Sequence, residues 1–216
     1  MMDTALKRLC MRDRIRDVLV ERILDGTYPA GLQLKELLLA REFNVSQAPI
    51  REALRELEGT GLVTSERYRG THVRGADSVE MRESYELRLM MEVRSIERGL
   101  PLSPEMAEKL QACIANMADA VSRSDSEQYI DWALNFHRSL VEMGGNGIFL
   151  KLWDSLHWDV RGRIALRRLA ATGTGLGAVV ALHVRVLQAL RDGDAGRAIE
   201  DVTTILHTVA AVFVAE

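Results

Sequence analysis

Residues 45 to 63 read VSQAPIREALRELEGTGLV, and this stretch decides the fold. Ile50, Ala53, Leu54 and Leu57 stand at i, i+3, i+4 and i+7, the spacing that gathers apolar side chains on one face of a helix. Gln47, Arg51 and Arg55 fall on the opposite, solvated face. Ser46 is placed as N-cap, where its hydroxyl accepts from a free first-turn N–H, and Pro49 comes early enough to be tolerated. Gly59 and Gly61 end the helix. A short helix exposing Arg and Gln, with Ser and backbone donors at its N-terminus, suits base edges and phosphates in a DNA major groove. An ordinary amphipathic helix with a charged face gives the same pattern, so the flanks must decide.

Upstream, Arg12 to Asp25 carries Ile15, Val18, Leu19 and Ile23 on one helical face, and Gly26 closes it. Tyr28-Pro29-Ala30-Gly31 is a turn, since proline presets one backbone angle and glycine permits another. Leu34 to Arg41 is expected as a second helix, with Leu34, Leu37 and Leu38 available to the core. Phe43 and Val45 bracket the tight turn that follows, which makes a helix-turn-helix. Downstream, LVTSERYRGTHVRG alternates loosely around Arg69-Gly70, as a small β-hairpin does. Such a hairpin is a wing, its tip presenting Arg67, Arg69 and Thr71 to phosphates or the minor groove while Val63 and Val73 pack inward.

The 216 residues are 47% hydrophobic and only 5% aromatic, with Leu, Ala, Val and Met supplying the apolar surface, which favours helices over sheets. A net charge of -3 does not by itself mark a nucleic-acid binder. The charge is divided, however: residues 1–75 hold 13 Lys and Arg against 11 Asp and Glu, leaving 15 against 20 for the remainder. Cys10 and Cys113 are too few and too far apart for a disulfide framework or zinc site. The N-terminus lacks the apolar core of a signal peptide, and no apolar run approaches the ~18 residues of a membrane span. A soluble cytoplasmic protein is expected.

The run GTYPAGLQLKELLLAREFNVSQAPIREALRELEGTGLVTSERYRGTHV resembles the winged helix-turn-helix of the GntR superfamily of bacterial transcription regulators. The resemblance rests on the Pro/Gly turn before Leu34, Val45-Ser46, Pro49 to Leu54, Leu57, Gly61-Leu62-Val63, and Arg69-Gly70-Thr71, over about 65 residues. It implies that Ser46, Gln47, Arg51 and the wing turn at Gly70 lie on DNA, and Ala48, Arg55, Arg69 and Thr71 complete the candidate contact set. Two positions depart from the pattern. Gln47 stands where the family usually has Arg, and Leu37 where a polar residue or Arg often meets the DNA backbone. Glutamine pairs with adenine as arginine pairs with guanine, so a different operator sequence is expected.

Beyond a short polar linker, Gly75-Ala76-Asp77-Ser78, every segment reads as helix. The expected spans are 79–99, 104–122, 125–143, 147–170, 178–192 and 195–214, with Ser103-Pro104, Gly144-Gly145-Asn146 and Gly193-Asp194 as punctuation. The fold class is therefore mainly α: a winged helix-turn-helix with a β-hairpin wing over 1–75, then an antiparallel all-α bundle over 76–216.

The second part resembles the FCD ligand-binding domain of the FadR branch, through Tyr85 to Arg88 with Glu92, Leu102-Ser103, Phe136-His137-Arg138 with Leu140, Gly145-Asn146, His183 with Leu187 and Ala189, and Asp194 with Ala198. Many such domains hold a divalent metal with one Asp and three His, the first two as D-x-x-x-H. The resemblance keeps His137 and His183 but puts Ala133 and Ile205 at the other two positions. Asp131 does not substitute for the missing Asp, because six residues turn a helix about 240° past His137. Asp201 lies one turn before Ile205, so a remodelled Zn, Ni or Mn site of His137, His183 and Asp201 is one reading, and histidines lining a polar pocket the other.

Arg88, Arg161, Arg163 and Arg167 are candidates to clamp an anionic ligand. Arg88, His137, Arg161 and His183 form the expected effector-binding set, and Trp132, Trp153 and Trp158 are core or pocket wall. Thr172 to Gly177 has glycine spacing wrong for a phosphate loop and reads as an interhelical connection. These features point to a homodimeric, non-enzymatic DNA-binding regulator on a two-fold operator, and the resemblance implies control by a small organic acid. A metal-dependent hydrolase using His137 and His183, or a winged helix that binds protein, are the alternatives.

Overall fold

The computed structural model of the chain describes residues 11–213 except 25, 67, 75–77, 157, 173 and 174. Cys10, Arg67, most of the expected linker and part of the 172–177 connection thus lie outside the described residues. The chain divides into two compact units, Met1–Asp77 and Ser78–Glu216.

In the first unit, α1 (Met11–Leu24) and α2 (Glu36–Glu42) pack on α3 (Gln47–Gly59). Ile50, Ala53, Leu54 and Leu57 of α3 are all buried, as the i, i+3, i+4, i+7 spacing requires. Ile15 and Leu19 of α1 join them, whereas Val18 is exposed and Ile23 half-buried at the edge of that face. Arg12 and Arg16 add ion pairs from α1 to Glu56 of α3, at 2.9 and 3.3 Å.

The second helix differs from expectation in phase. Gly31, at φ +81°, turns the chain so that Gln33–Leu34 forms a short strand, β1, and α2 starts only at Glu36. Alternation in β1 exposes Gln33 and buries Leu34, and the later start puts Leu39 and Ala40 on the inner face of α2. Leu37 and Leu38, expected in the core, are exposed.

The wing has three strands. β1 pairs antiparallel with β3 (Gly70–Val73), which pairs antiparallel with β2 (Val63–Glu66), in the order β1-β3-β2. Val63 and Val73 face each other in register and are buried, closing the small core from the hairpin side.

The second unit is all helical: α4 (Ser78–Gly99), α5 (Pro104–Ser122), α6 (Ser126–Met143), α7 (Gly147–Ser155), α8 (Trp158–Ala171), α9 (Leu176–Arg191) and α10 (Ala195–Ala210), then a 3-10 turn, Ala211–Phe213. Packing pairs α5 with α6 and α9 with α10, while α4 lies against both α6 and α10. Side-chain caps fix the starts: Ser103 accepts from the N–H of Met106, Asp125 from Gln128, Asn146 from Ile148, and Asp194 from Arg197. Gly144 is required by close approach, since a Cβ there would stand 2.6 Å from Cα of Ser95 on α4.

The helix expected over 147–170 is broken after Leu156. Five residues of continuous helix would set Trp153 and Trp158 about 140° apart, on different faces. The break lets both indoles bury together, with ring centroids 5.7 Å apart. Arg161 Nε donates to the Leu156 carbonyl at 2.9 Å, satisfying an acceptor that the break would orphan. Among the described residues no helix is long and apolar enough to cross a membrane.

Candidate functional site

Two surfaces carry chemistry, one in each unit. In the first, Gln47, Ala48, Arg51 and Arg55 stand exposed on α3. Ser46 occupies the N-cap position in extended conformation, but its side chain makes no capping bond, contrary to the sequence expectation. The first-turn N–H groups of α3 and the Ser46 hydroxyl are thereby available to an anion, where the helix dipole favours negative charge. Arg51 is held by Glu36 of α2, Nη2 to Oε2 at 2.7 Å and Nε to Oε1 at 3.1 Å, and this partner lowers the Glu36 carboxyl below its usual range.

The wing turn is anchored from below. Gly70 has φ +86°, and a Cβ there would meet Nε2 of Gln33 at 3.0 Å. That Gln33 amide donates to the Arg69 carbonyl at 2.7 Å, so β1 fixes the turn that carries Arg69 and Thr71. Ser65 Oγ and Thr71 Oγ1 bond across β2 and β3 at 3.1 Å. Arg69 pairs with Glu66 at 3.0 Å, and Tyr68, a residue the sequence reading passed over, projects 91% exposed beside it.

In the second unit a buried cluster lies between α4, α6, α8, α9 and α10. Arg88 and Glu92, one turn apart on α4, are 3% and 0% exposed and joined Nε to Oε1 at 2.7 Å. The other Glu92 oxygen meets Nδ1 of His137 on α6, also at 2.7 Å. Arg88 is stacked among aromatic rings, its guanidinium carbon 5.0 Å from the Trp153 centroid, 4.9 Å from Trp158 and 5.5 Å from Tyr85. His183 on α9 lies against His137, ring centroids 5.2 Å apart, and its Nδ1 stands 2.7 Å from the Val179 carbonyl.

Because that carbonyl only accepts, His183 Nδ1 carries the proton and Nε2 keeps a lone pair. Burial, together with His137, pushes the His183 imidazole down to about 3. Burial also lowers His137, against the pull of Glu92. For Glu92, burial works upward, but attraction to His137 and Arg88 outweighs it and holds the carboxyl below its usual range. Arg88 is the permanent cation, so Glu92 is the carboxylate and His137 a neutral imidazole donating through Nδ1. Among the described residues, Tyr129 Oη and His183 Nε2 are buried without a hydrogen-bond partner.

Tyr85, Arg88, Tyr129, His137 and His183 line one small cavity of about 10 Å³, walled elsewhere by Ala133, Leu134, Ile205 and Val209. Beside it, an open groove of about 690 Å³ is lined by Gln128, Asp131, Trp132, Asn135, Arg138 and Asp154, with Trp153 and Trp158 behind them. Leu134 borders both spaces.

Comparison with known proteins assigns both units. Residues 11–73 match the model of the bacterial regulatory proteins, gntR family, and residues 83–208 that of the FCD domain. The chain belongs to the GntR family and carries an FCD domain. It is a DNA-binding transcription regulator. It is 29% identical to a probable D-xylose utilization operon transcriptional repressor of Paenarthrobacter nicotinovorans, over 97% of this chain and 92% of that protein. Identity to a gluconate operon transcriptional repressor of Bacillus licheniformis is 32%, over 70% of this chain and 62% of that one. Its fold is similar to that of a putative GntR regulator from Rhodococcus sp. RHA1, with TM-score 0.75 and 21% identity, over 94% of this chain and 97% of that structure.

In this GntR-family chain the FCD cavity gathers three of the four residues expected to hold an effector: Arg88, His137 and His183. Arg161 is not in its wall. It serves the α7–α8 joint through the Leu156 carbonyl and bonds Ser84 on α4 at 3.2 Å. Arg163 and Arg167 pair with Glu127 at 2.6 and 2.8 Å. The expected metal trio is not assembled either. Asp201 turns to Arg185, at 2.5 Å, and among the described residues no three ligand side chains converge. With Ala133 and Ile205 in the cavity wall, two imidazoles remain, short of the set a divalent cation takes.

Glu92, Tyr85 and Tyr129 were not expected as site residues. A signal for Glu92 was present: Met81, Tyr85, Arg88, Glu92 and Ile96 share the buried stripe of α4, so an opposite-charge pair at i, i+4 falls on the core side.

Proposed function

We propose that this regulator represses genes for the use of a sugar or sugar acid, binding a two-fold operator as a homodimer and releasing it when a small molecule occupies the FCD domain. The observation that carries the reading is the uncapped start of α3, which leaves Ser46 and the first-turn N–H groups beside exposed Gln47, Ala48 and Arg51. Backbone donors and Ser46 would fix phosphates, Gln47 would read adenine, Ala48 would sit against a thymine methyl, and Arg51 and Arg55 would reach guanine or phosphate. Arg69, Gly70 and Thr71 would follow the adjacent backbone. The two relatives, repressors of a D-xylose utilization operon and of a gluconate operon, suggest the sign and the gene class.

Two recognition helices are needed because one carries too few base-reading side chains for genomic discrimination. An effector acts only to the extent that it binds one arrangement of the dimer more tightly than another. The hydrolase reading needs a third ligand near His137 and His183, and among the described residues none converges.

Fluorescence anisotropy with duplex DNA from upstream of its own gene tests the reading. Affinity that falls steeply with salt, with a slope that shrinks by about one in Arg51→Ala, supports docking through α3. No saturable DNA binding, or an unchanged slope and affinity in the variant, overturns it and leaves a protein-binding winged helix.

A further inference from the structure

We infer that the FCD cavity of this chain takes an uncharged, hydroxyl-bearing small molecule, not the organic acid that the family resemblance implies. The inference rests on the effector-domain reading above and deepens it.

The charges around the cavity already cancel. Its one lining cation, Arg88, is 3% exposed and bonded at 2.7 Å to Glu92, which is fully buried. The other arginines expected to clamp an anion are engaged elsewhere, Arg161 at the α7–α8 joint and Arg163 and Arg167 with Glu127. A carboxylate entering here would be buried without a countercharge, or would have to expel Glu92 and leave that carboxylate buried instead. An ammonium would meet the opposite difficulty beside Arg88.

The unmet hydrogen-bonding capacity has a definite character. His183 Nε2 is a pure acceptor, because Nδ1 already donates to the Val179 carbonyl. It is buried without a partner among the described residues, and His183 lines the cavity. Its complement is an O–H or N–H donor, which a carboxylate does not possess. Tyr129, whose Oη is also buried without a partner among the described residues, belongs to the same wall, and a hydroxyl donates or accepts. A polyol or aldose, whose hydroxyls do both, satisfies both atoms without adding charge.

At about 10 Å³ the cavity now has room for about one water, so a larger ligand needs it opened. Leu134 is the partition: it borders both the cavity and the 690 Å³ groove. It lies over Gly162 of α8, where a Cβ would stand 2.5 Å from its Cδ2. Displacing this side chain is the opening the inference requires, and it would bring the Trp132 ring and the Asn135 and Gln128 amides of the groove toward the ligand.

The test is thermal melting of the full chain with a panel of neutral pentoses, hexoses and polyols against the matching aldonates. A saturable rise in midpoint with at least one uncharged member and none with its aldonate is expected. Tyr129→Phe should melt no lower than wild type without ligand yet bind about tenfold more weakly. Glu92→Gln, by leaving Arg88 unpaired, should shift preference toward the aldonate. Stabilisation by aldonates alone, no response to any uncharged member, or undiminished binding in Tyr129→Phe overturns the inference. If an uncharged ligand binds in the Tyr129-dependent way but leaves operator affinity unchanged, the inference stands and effector control of DNA binding fails.

Discussion

Arg51 and Glu36 are locked together across the turn of the helix-turn-helix, guanidinium on α3 and carboxylate on α2, through Nε and Nη2 contacts of 2.7 to 3.2 Å. The pair holds the extended Arg51 side chain on the exposed face, but it also puts a carboxylate where DNA phosphates are expected. Glu36→Gln should therefore raise affinity for non-operator DNA severalfold, with little change in melting, since Arg51 is exposed and Glu36 only half-buried. Weaker binding to all DNA in this variant would instead make Glu36 the residue that positions Arg51.

Gln47 is the first residue of α3, exposed and next to the uncapped Ser46. A glutamine amide matches N6 and N7 of adenine, whereas arginine matches O6 and N7 of guanine. Gln47→Arg should exchange adenine for guanine preference at one position of each half-site, with discrimination on the order of tenfold or more. Selection of operators from a randomised library by the two proteins is the measurement, and identical consensus sequences would exclude Gln47 from base reading.

How much of this was legible beforehand followed from how local the deciding forces are. The buried face of α3 was readable because its four apolar residues keep helical period without interruption. Ser103, Asp125, Asn146 and Asp194 announce helix starts because a cap acts within three residues. The phase of α2 differs from expectation because Leu37-Leu38-Leu39-Ala40 is an unbroken apolar run with no period of its own. The strand that took Leu34 is set by β3, some forty residues away. The break between Trp153 and Trp158 is likewise decided across the bundle, where both rings close on Arg88. Arg161 was assigned to a ligand for the same reason: sequence shows a guanidinium but not the orphan carbonyl that claims it.

The Arg88–Glu92–His137 chain makes a double-substitution test of the buried charge balance. Arg88→Met alone leaves Glu92 buried without its cation and should destabilise the chain by about 3–5 kcal/mol, because removing one partner of a buried pair strands the other. Adding Glu92→Gln to the same protein should recover most of that loss, since a neutral amide still reaches His137. Urea titration of the single and double variants checks it. Strictly additive losses would mean that the two residues stabilise the fold independently.

Acid stability is set by the same cavity. The His183 imidazole lies at about 3 in the folded chain against 6.5 unfolded, lowered by burial and by neighbouring His137. A depressed histidine binds its proton more readily when unfolded, so its contribution is fully present above pH 6.5 and is lost as pH falls toward 3. The loss approaches about 1.4 kcal/mol per pH unit inside that window. His137, also lowered, adds a loss of the same sign. Glu92 acts the same way but only below its unfolded value of 4.5, so the range from 6.5 to 4.5 belongs to the histidines. Unfolding free energy measured across that range should fall steadily in the wild type and with a clearly shallower slope in His183→Leu. Equal slopes in the two proteins would show that His183 takes up its proton in the folded state at an ordinary pH.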